Sequence, residues 1–489
     1  MTRIQKSLFA IGIFLVVFLG LGTWLLSGQS AEYTEAQVTG MKPKLTYPAP
    51  QTIPTVRVAD PIGWKPGESP VPAQGLAVTR FADGLNHPRT LTVLPNGDVL
   101  AAETNTPRSG HGSTGITGIV ERWLINKIGA GGASANVIVL LRDANGDGVA
   151  EQRFELRNPK LNSPYGMVFR DDHLIVANND AVLSFPYKLG DTQLSGTPEK
   201  LMNLPAGGAH WARNALLSPD GTKLYVTVGS STNIADNGIA AEEGRAAIHE
   251  YDFTSKSSRI YASGLRNANG LDWNPASGEL WTVVNERDML GSDLVPDYLT
   301  NVPIGAHYGW PWIYWKNNVD ARVNAPLPIY INDYVRKPEY ALGAHVAPLG
   351  LAFARGGNRL GPQFANGAFV ANHGSWNRKP MSGYDVVFVQ FDDRGNVLPK
   401  QPVKVLTGFL TQDQKNTRGR PVWVAFAHDG ALLVSDDTSG VIWRVIAPGA
   451  APSAAITAVS SGRVQKAPGT RTNLVATPDE NSSLTNPKP

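Results

Sequence analysis

The sequence predicts an all-β fold, a six-bladed β-propeller, behind an N-terminal transmembrane anchor helix. Three observations lead there: a turn-and-strand phrase that recurs along the chain, a composition rich in Gly and Pro but poor in charge, and one uncharged apolar run near the start.

The phrase joins a Pro/Asp/Asn-Gly type of turn to an alternating apolar strand that ends on small or acidic residues. It reads LPNGDVLAAET from Leu94, RDDHLIVANND from Arg170 and SPDGTKLYVTVGSS from Ser218. It returns as NPASGELWTVVNERD from Asn274, FANGAFVANHGS from Phe364 and AHDGALLVSDD from Ala427. Asn-Gly and Asp-Gly turns close hairpins, and a period of two marks strands with one buried face. Six unevenly spaced copies fit one blade each, with insertions between blades. An array of β-sandwiches has no reason to repeat one phrase. Equivalent blades would bring the polar strand ends to one mouth of a central channel. These ends are Glu103-Thr104, Asn178 to Asp180, Gly229 to Ser231, Asn285 to Asp288, Asn372-His373 and Asp436-Asp437. A concave mouth with converging polar groups is the natural place for a site.

Charged residues make up 17% of the 489, while Gly (50) and Pro (36) are frequent. That suits many short strands joined by tight turns. The absence of Cys excludes disulfides, thiolate chemistry and covalently attached haem c. The net charge is +3 without a dense Lys/Arg run, which argues against a nucleic-acid partner.

Leu8 to Leu26 carries no charge and follows Arg3 and Lys6. At 1.5 Å per residue it would span roughly 28 Å, the thickness of a bilayer core. The SGQSAEY that follows is a poor cleavage site, so residues 1–27 read as an uncleaved anchor. The flanking cations stay inside, which puts the bulk of the chain on the periplasmic side of a cell inner membrane. Residues 28–72, with seven prolines from Pro48 to Pro72, read as a semi-rigid spacer. The propeller then occupies 73–448, and the weakly apolar tail 449–489 reads as disordered.

Several residues could carry chemistry. His210, in GGAHWARN, sits on a loop before a predicted blade strand, where an imidazole is either a proton acceptor or a structural group. Arg266-Asn267 occupies the matching place in the next blade; Arg offers a fork of donors for an oxyanion or carboxylate, or an inter-blade ion pair. Asn285-Glu286-Arg287-Asp288, with Asp293 and Asp297, gathers oxygen donors of the kind calcium takes, or a solvated acidic loop. Asp143-Ala-Asn145-Gly-Asp147-Gly148 begins like a calcium loop, but Phe154 stands where an EF-hand has Glu, leaving either a different metal loop through Glu151 or a plain Asx turn. Arg378-Lys379 and Arg418-Gly-Arg420 add positive charge on two further blades.

In order, GLNHPRTLTVLPNGDVLAAET, LRDANGDGVAE, LNSPYGM, GGAHWARN, GLRNANGLDWNP, VVNERDMLGSDLVPDYL, HYGWPW, HVAPLGLAF, ANHGSWNR and RPVWVAFAHDGALLVSDD resemble the glucose/sorbosone dehydrogenase family of soluble-type quinoproteins, nearest its membrane-attached sorbosone dehydrogenase-like branch. The likeness spans about residues 76–446. It implies a six-bladed propeller that binds pyrroloquinoline quinone (PQQ) and Ca2+ at one mouth and oxidises a sugar, aldehyde or alcohol. By that resemblance His210 is the base that takes the hydroxyl proton as hydride leaves for the quinone. Arg266 and Asn267 contact the quinone oxygens, so Arg266 counts as catalytic too. Glu286, Arg287 and Asp288 belong to the calcium loop. Arg420, with Arg378 or Lys379, neutralises the cofactor's carboxylates, and His345 lies on the cofactor wall.

The chain departs from the family at three places: Ser163 beside Asn162 where Gln is frequent, NERD without the Gly-Pro of glucose-oxidising members, and Ala209 where an Asp precedes the histidine. The expected activity is therefore a PQQ- and calcium-dependent oxidoreductase whose electrons leave to a separate carrier, a membrane quinone or a cytochrome. A calcium-dependent lactonase-like hydrolase and a non-catalytic binding propeller are the alternatives. The positive pairs favour the oxidoreductase, because a neutral lactone does not need them.

Overall fold

Six four-stranded antiparallel sheets follow one another along the chain in the computed structural model, which describes residues 28–52, 54–107 and 134–458. Blade one runs Pro88–Val93, Val99–Glu103, Val137–Arg142 and Gln152–Leu156. Blade two runs Met167–Arg170, His173–Ala177, Ala181–Pro186 and Glu199–Asn203, and blade three Ala215–Leu217, Lys223–Val228, Ala247–Asp252 and Ser257–Ser263. Blade four comprises Asn267–Trp273, Leu280–Asn285, Pro296–Asn301 and Tyr340–Ala344. Blade five comprises Pro348–Phe353, Gly367–Asn372, Asp385–Gln390 and Val403–Thr407, with Val71–Pro72 as a fifth strand. Blade six takes Pro421–Phe426, Leu432–Asp436 and Val441–Ile446 from the end of the described chain and Ala77–Ala82 from near its start. That pairing closes the ring and leaves no long free edge.

Each copy of the repeated phrase lies at the hairpin between the first and second strands of one blade, which is why six copies make six blades. The cores lie between neighbouring blades: Leu100, Ile138, Leu174 and Phe185 between one and two, and Phe369, Phe388, Val434 and Trp443 between five and six. Inner strands approach backbone to backbone. A Cβ on Gly270 would lie 2.7 Å from the Leu351 nitrogen, and one on Gly350 would lie 2.8 Å from that of Val424. In blades one, four, five and six the register shifts near the beginning of the inner strand. Such bulges re-aim side chains, and here they do so at the mouth, where first strands begin and second strands end.

Two boundaries differ from expectation. The proline-rich stretch is docked, not a spacer. Ser292 Oγ donates to Gln29 O (2.6 Å), the Glu32 and Tyr33 amides donate to Asp293 Oδ2, and Ala49 and Gln51 amides donate to Leu290 O and Met289 O. Proline removes donors but leaves the intervening amides free to pair with propeller loops. The tail also begins in order. Ala447 and Ser453 amides donate to Arg359 O and Asn358 O, and the Gly357 amide donates back to Ser453 O. The expected anchor, Leu8 to Leu26, and residues 459–489 lie outside the described residues. Among those described, no helix is long and apolar enough to cross a membrane.

Candidate active site at the channel mouth

His210 lies on the loop entering blade three, half-buried in the wall. Its Nδ1 is 3.0 Å from Ser230 O and 2.9 Å from Ser230 Oγ. Ser230 Oγ donates its own hydrogen to Thr232 O (2.7 Å), so both Ser230 atoms face Nδ1 as acceptors. Nδ1 must therefore carry the hydrogen, and Nε2 is the basic atom. Burial first, then the nearby Arg266 charge, lowers the pKa of His210 to about 3 and keeps it neutral at pH 7. Among the described residues no carboxylate bonds its Nδ1; Ser230 orients it. Gly229 makes the contact possible, since a Cβ there would come within 2.5 Å of both His210 Cβ and Asn267 Oδ1.

Arg266 and Asn267 open blade four, both buried. The Asn267 Oδ1 atom has no hydrogen-bond partner among the described residues. Arg266 is saturated: Nε donates to Asn233 O, Nη1 to Asn285 O and Glu286 O, and Nη2 to Asn233 Oδ1 and Asp288 Oδ2. It acts on the mouth through its charge. The direct contact with a quinone oxygen expected from sequence would cost one of these bonds. Asp288 bridges Arg266 (3.0 Å) and His345 (3.2 Å). His345 Nε2 also faces Gly291 O at 3.1 Å. With acceptors at both nitrogens the imidazolium is favoured; Asp288 raises the His345 pKa although burial opposes it. Arg266 and His345 in turn hold Asp288 low against burial. Behind them Asp297, which accepts the Glu286 and Ala347 amides, is raised by burial to about 7.

The expected calcium loop needs correction. Arg287 is fully buried, and its guanidinium donates to Glu286 Oε2, Pro311 O and Ile313 O. A cation so engaged is no metal ligand, and Glu286 points its carboxylate at Arg287. Of the three, Asp288 alone reaches the mouth, with both oxygens in ion pairs. Among the described residues the three-carboxylate group with closely spaced oxygens is Asp143, Asp147 and Glu151, beyond the opposite ends of the strands. There Asp143 accepts the Gly146 and Gly148 amides as an Asx turn does. Arg378 is likewise not on the channel wall: it donates to Tyr33 O, Pro380 O and Asp293 Oδ1 beneath the docked N-terminal stretch. Lys379 pairs its backbone with Ser292 Oγ and Ala31 in the same place.

Across the channel, blades one, five and six supply a second cluster. Asp437 Oδ2 receives Arg89, His373 Nε2 (3.0 Å) and His87 Nε2 (3.4 Å). His373, His87 and Arg89 outweigh burial and hold Asp437 well below the usual carboxylate range. Burial and Arg420 lower His373 to about 3. Arg420 spends Nε on His373 O and Nη2 on Gly374 O, and lies 5.4 Å from the Tyr384 ring centre. Tyr165 packs edge-on to Trp211 and Trp423, and its hydroxyl, Asn269 Oδ1 and Arg89 Nε all lack partners among the described residues.

Sequence comparison places this architecture. The TrAA12-like family matches residues 132–302 and 330–447, more than half of the chain. The chain belongs to the TrAA12-like family. It is 25% identical over 430 residues to a pyrroloquinoline quinone-dependent pyranose dehydrogenase of Coprinopsis cinerea, covering 76% of this chain and 54% of that protein. It is 32% identical over 237 residues to an uncharacterized protein of Borreliella burgdorferi, covering 48% of this chain and 60% of that one. The chain thus spans between half and two thirds of the length of these curated relatives. Two solved structures share the fold. The calcium structure of the Trichoderma reesei AA12 enzyme matches with TM-score 0.62 at 19% identity, over 82% of this chain and 98% of that one. The holo PQQ domain of the C. cinerea pyranose dehydrogenase matches with TM-score 0.58 at 22% identity, over 80% and 100%.

The mouth of this TrAA12-like propeller fits an anionic quinone. Arg266, Arg89, Arg420 and His345 gather there with Asp288 and Asp437 as their paired anions among the described residues, and orphaned buried polar atoms stand on both walls. Buried polar groups normally have partners, so a polar ligand is the simplest occupant. A calcium ion does not fit equally well, since among the described residues the mouth offers no set of unpaired carboxylates. His87, Arg89 and Tyr165 went unnoticed in the sequence. Their signal was position, each just before or within the first residues of a predicted inner strand, as His210 and Arg266 are.

Proposed function

We propose that the chain is a PQQ-dependent oxidoreductase acting on a sugar, sugar aldehyde or related alcohol, in the manner of the sorbosone dehydrogenase-like quinoproteins. One observation carries the reading. The Nδ1–H of His210 is tied to Ser230, and its Nε2 lone pair has no partner among the described residues. That is the arrangement of a general base awaiting a hydroxyl proton. When bound, PQQ supplies the two-electron acceptor.

The residues around it divide the remaining work. Asn267, touching the His210 wall through Gly229, presents an unpaired oxygen to the same space. Arg266 keeps His210 neutral and adds positive potential without giving up its protein bonds. Arg420, with Nη1 unpaired among the described residues, and Arg89 with its orphaned Nε, are the donors for ligand carboxylates. Calcium is supported by the calcium structure of the T. reesei relative. The reading also places the propeller outside the cytoplasm, anchored by Leu8 to Leu26, with electrons leaving to a membrane quinone or a cytochrome.

His210→Ala tests the reading. Turnover with an artificial acceptor should fall about two to four orders of magnitude while PQQ uptake, read by absorbance, stays near that of the parent. Unchanged turnover removes His210 from the base role. Turnover of a lactone without any quinone would favour the hydrolase.

A further inference from the structure

Between the third and fourth strands of blade four the chain makes an excursion, residues 302–339, and the family match breaks there, from 303 to 329. The excursion climbs to the mouth. Arg322 donates to Asp288 O and Met289 O, and Trp310 Nε1 to Asn233 O. A small core of Ile313, Ile331 and Val335 holds it together. Around that core three large apolar side chains are bare, with exposed Asn332 and Asp333 between two of them. Ile329, Tyr330 and Tyr334 are 82%, 72% and 73% exposed; among the described residues Tyr47 alone, at 94%, is a more exposed large hydrophobic. Tyr47 lies two residues past Leu45, which packs into the cluster containing Tyr314 and Trp315. Tyr330 also holds a left-handed φ of 63°, a costly conformation for a bulky residue that the fold retains where it serves something. Exposed Arg336 and Lys337 follow the patch in the chain.

A second addition outside the family match meets the excursion on the same loop. Residues 28–57 pair with Met289, Leu290 and Ser292, and Gln29 is fixed by Thr55 and Ser292. The uncharged run Leu8 to Leu26 ends two residues before Gly28. The point where the chain departs toward that run and Arg322 of the excursion thus both bind one loop, 286–293.

We propose that the blade-four excursion rests on a lipid bilayer, with Ile329, Tyr330 and Tyr334 in the headgroup region, so that the channel mouth is held toward the membrane. Tyr with flanking Lys and Arg is the chemistry of a membrane interface. The proposal rests on the anchor reading above. Because the chain has no Cys, Tyr330→Cys, Ile329→Cys and Val149→Cys each give a single labelling site; Val149 is exposed on the loop beyond the far strand ends. The full chain, labelled with an environment-sensitive fluorophore, is reconstituted in phosphatidylethanolamine/phosphatidylglycerol vesicles carrying a spin-labelled quencher lipid. Emission at 329 and 330 should shift to the blue and be quenched, with position 149 unaffected. Retention after a carbonate wash with positions 329 and 330 as unquenched as 149 overturns the docked patch and leaves the anchor standing. Release by the wash overturns the anchor, and the proposal with it. A blue shift that persists in detergent, with label–label contact between two copies, assigns the patch to a second copy instead.

Discussion

His210 and Arg266 are neighbours with opposite dependence on their surroundings. Arg266→Ala leaves Asp288 without its guanidinium and strips donors from Asn233, Asn285 and Glu286. Breaking a buried ion pair by removing one partner costs about 3–5 kcal/mol, so urea unfolding should shift strongly and PQQ uptake should fall with it. Gly229→Ala should leave the fold largely intact, at about 1–3 kcal/mol for overpacking, yet depress turnover by forcing His210 and Asn267 apart. Acid stability separates the histidines. His210 is neutral in the folded protein down to about pH 3 but takes a proton near pH 6.5 when unfolded, so unfolding binds a proton between those values and stability falls as pH falls. Its contribution is a slope of about 1.4 kcal/mol per pH unit. His210→Asn should lower the slope of unfolding free energy between pH 6 and pH 4 by that amount; an unchanged slope would mean that His210 is not held neutral.

At the scale of elements, the docked N-terminal stretch and the loop 286–293 form one unit. Asn377 is its hub: its side chain donates to Thr55 O and Gln51 Oε1 while Oδ1 accepts the Met289 amide. Asn377→Ala removes these bonds in a fully buried place, and about 1–3 kcal/mol should be lost. Hydrogen exchange should rise together at 49–55 and 286–291; a rise in one segment alone would show that the two are not coupled. Sequence made the blades legible because turn chemistry and period-two alternation are local. It also gave the mouth, since Asn372-His373 and Asp436-Asp437 are strand ends by pattern. It did not give the partners. Asp437 meets Arg89 from 348 residues away, a distance no local pattern records. The proline-rich stretch read as a spacer because its amides find acceptors only on loops far along the chain. Arg287 was placed with the calcium ligands by its neighbours, though its charge alone argues against ligation.

At the scale of the whole molecule, closure makes the site. Ala77–Ala82 completes blade six, and its removal would open Val441–Ile446 as an edge strand, the kind of edge along which proteins associate. On gel filtration a chain beginning at residue 83 should therefore elute as larger species than one beginning at residue 28. The two walls of the mouth belong to blades three to five and to blades five, six and one, so the positive excess exists only in the closed ring. The measurement that bears most directly on the central claim is a titration of the purified chain with PQQ, followed by absorbance, beside Arg420→Ala and Asn267→Ala. One quinone per chain, with weaker uptake in both variants, is the expected result. No uptake by the parent chain would contradict the oxidoreductase reading, and uptake indifferent to both substitutions would place the quinone elsewhere than at this mouth.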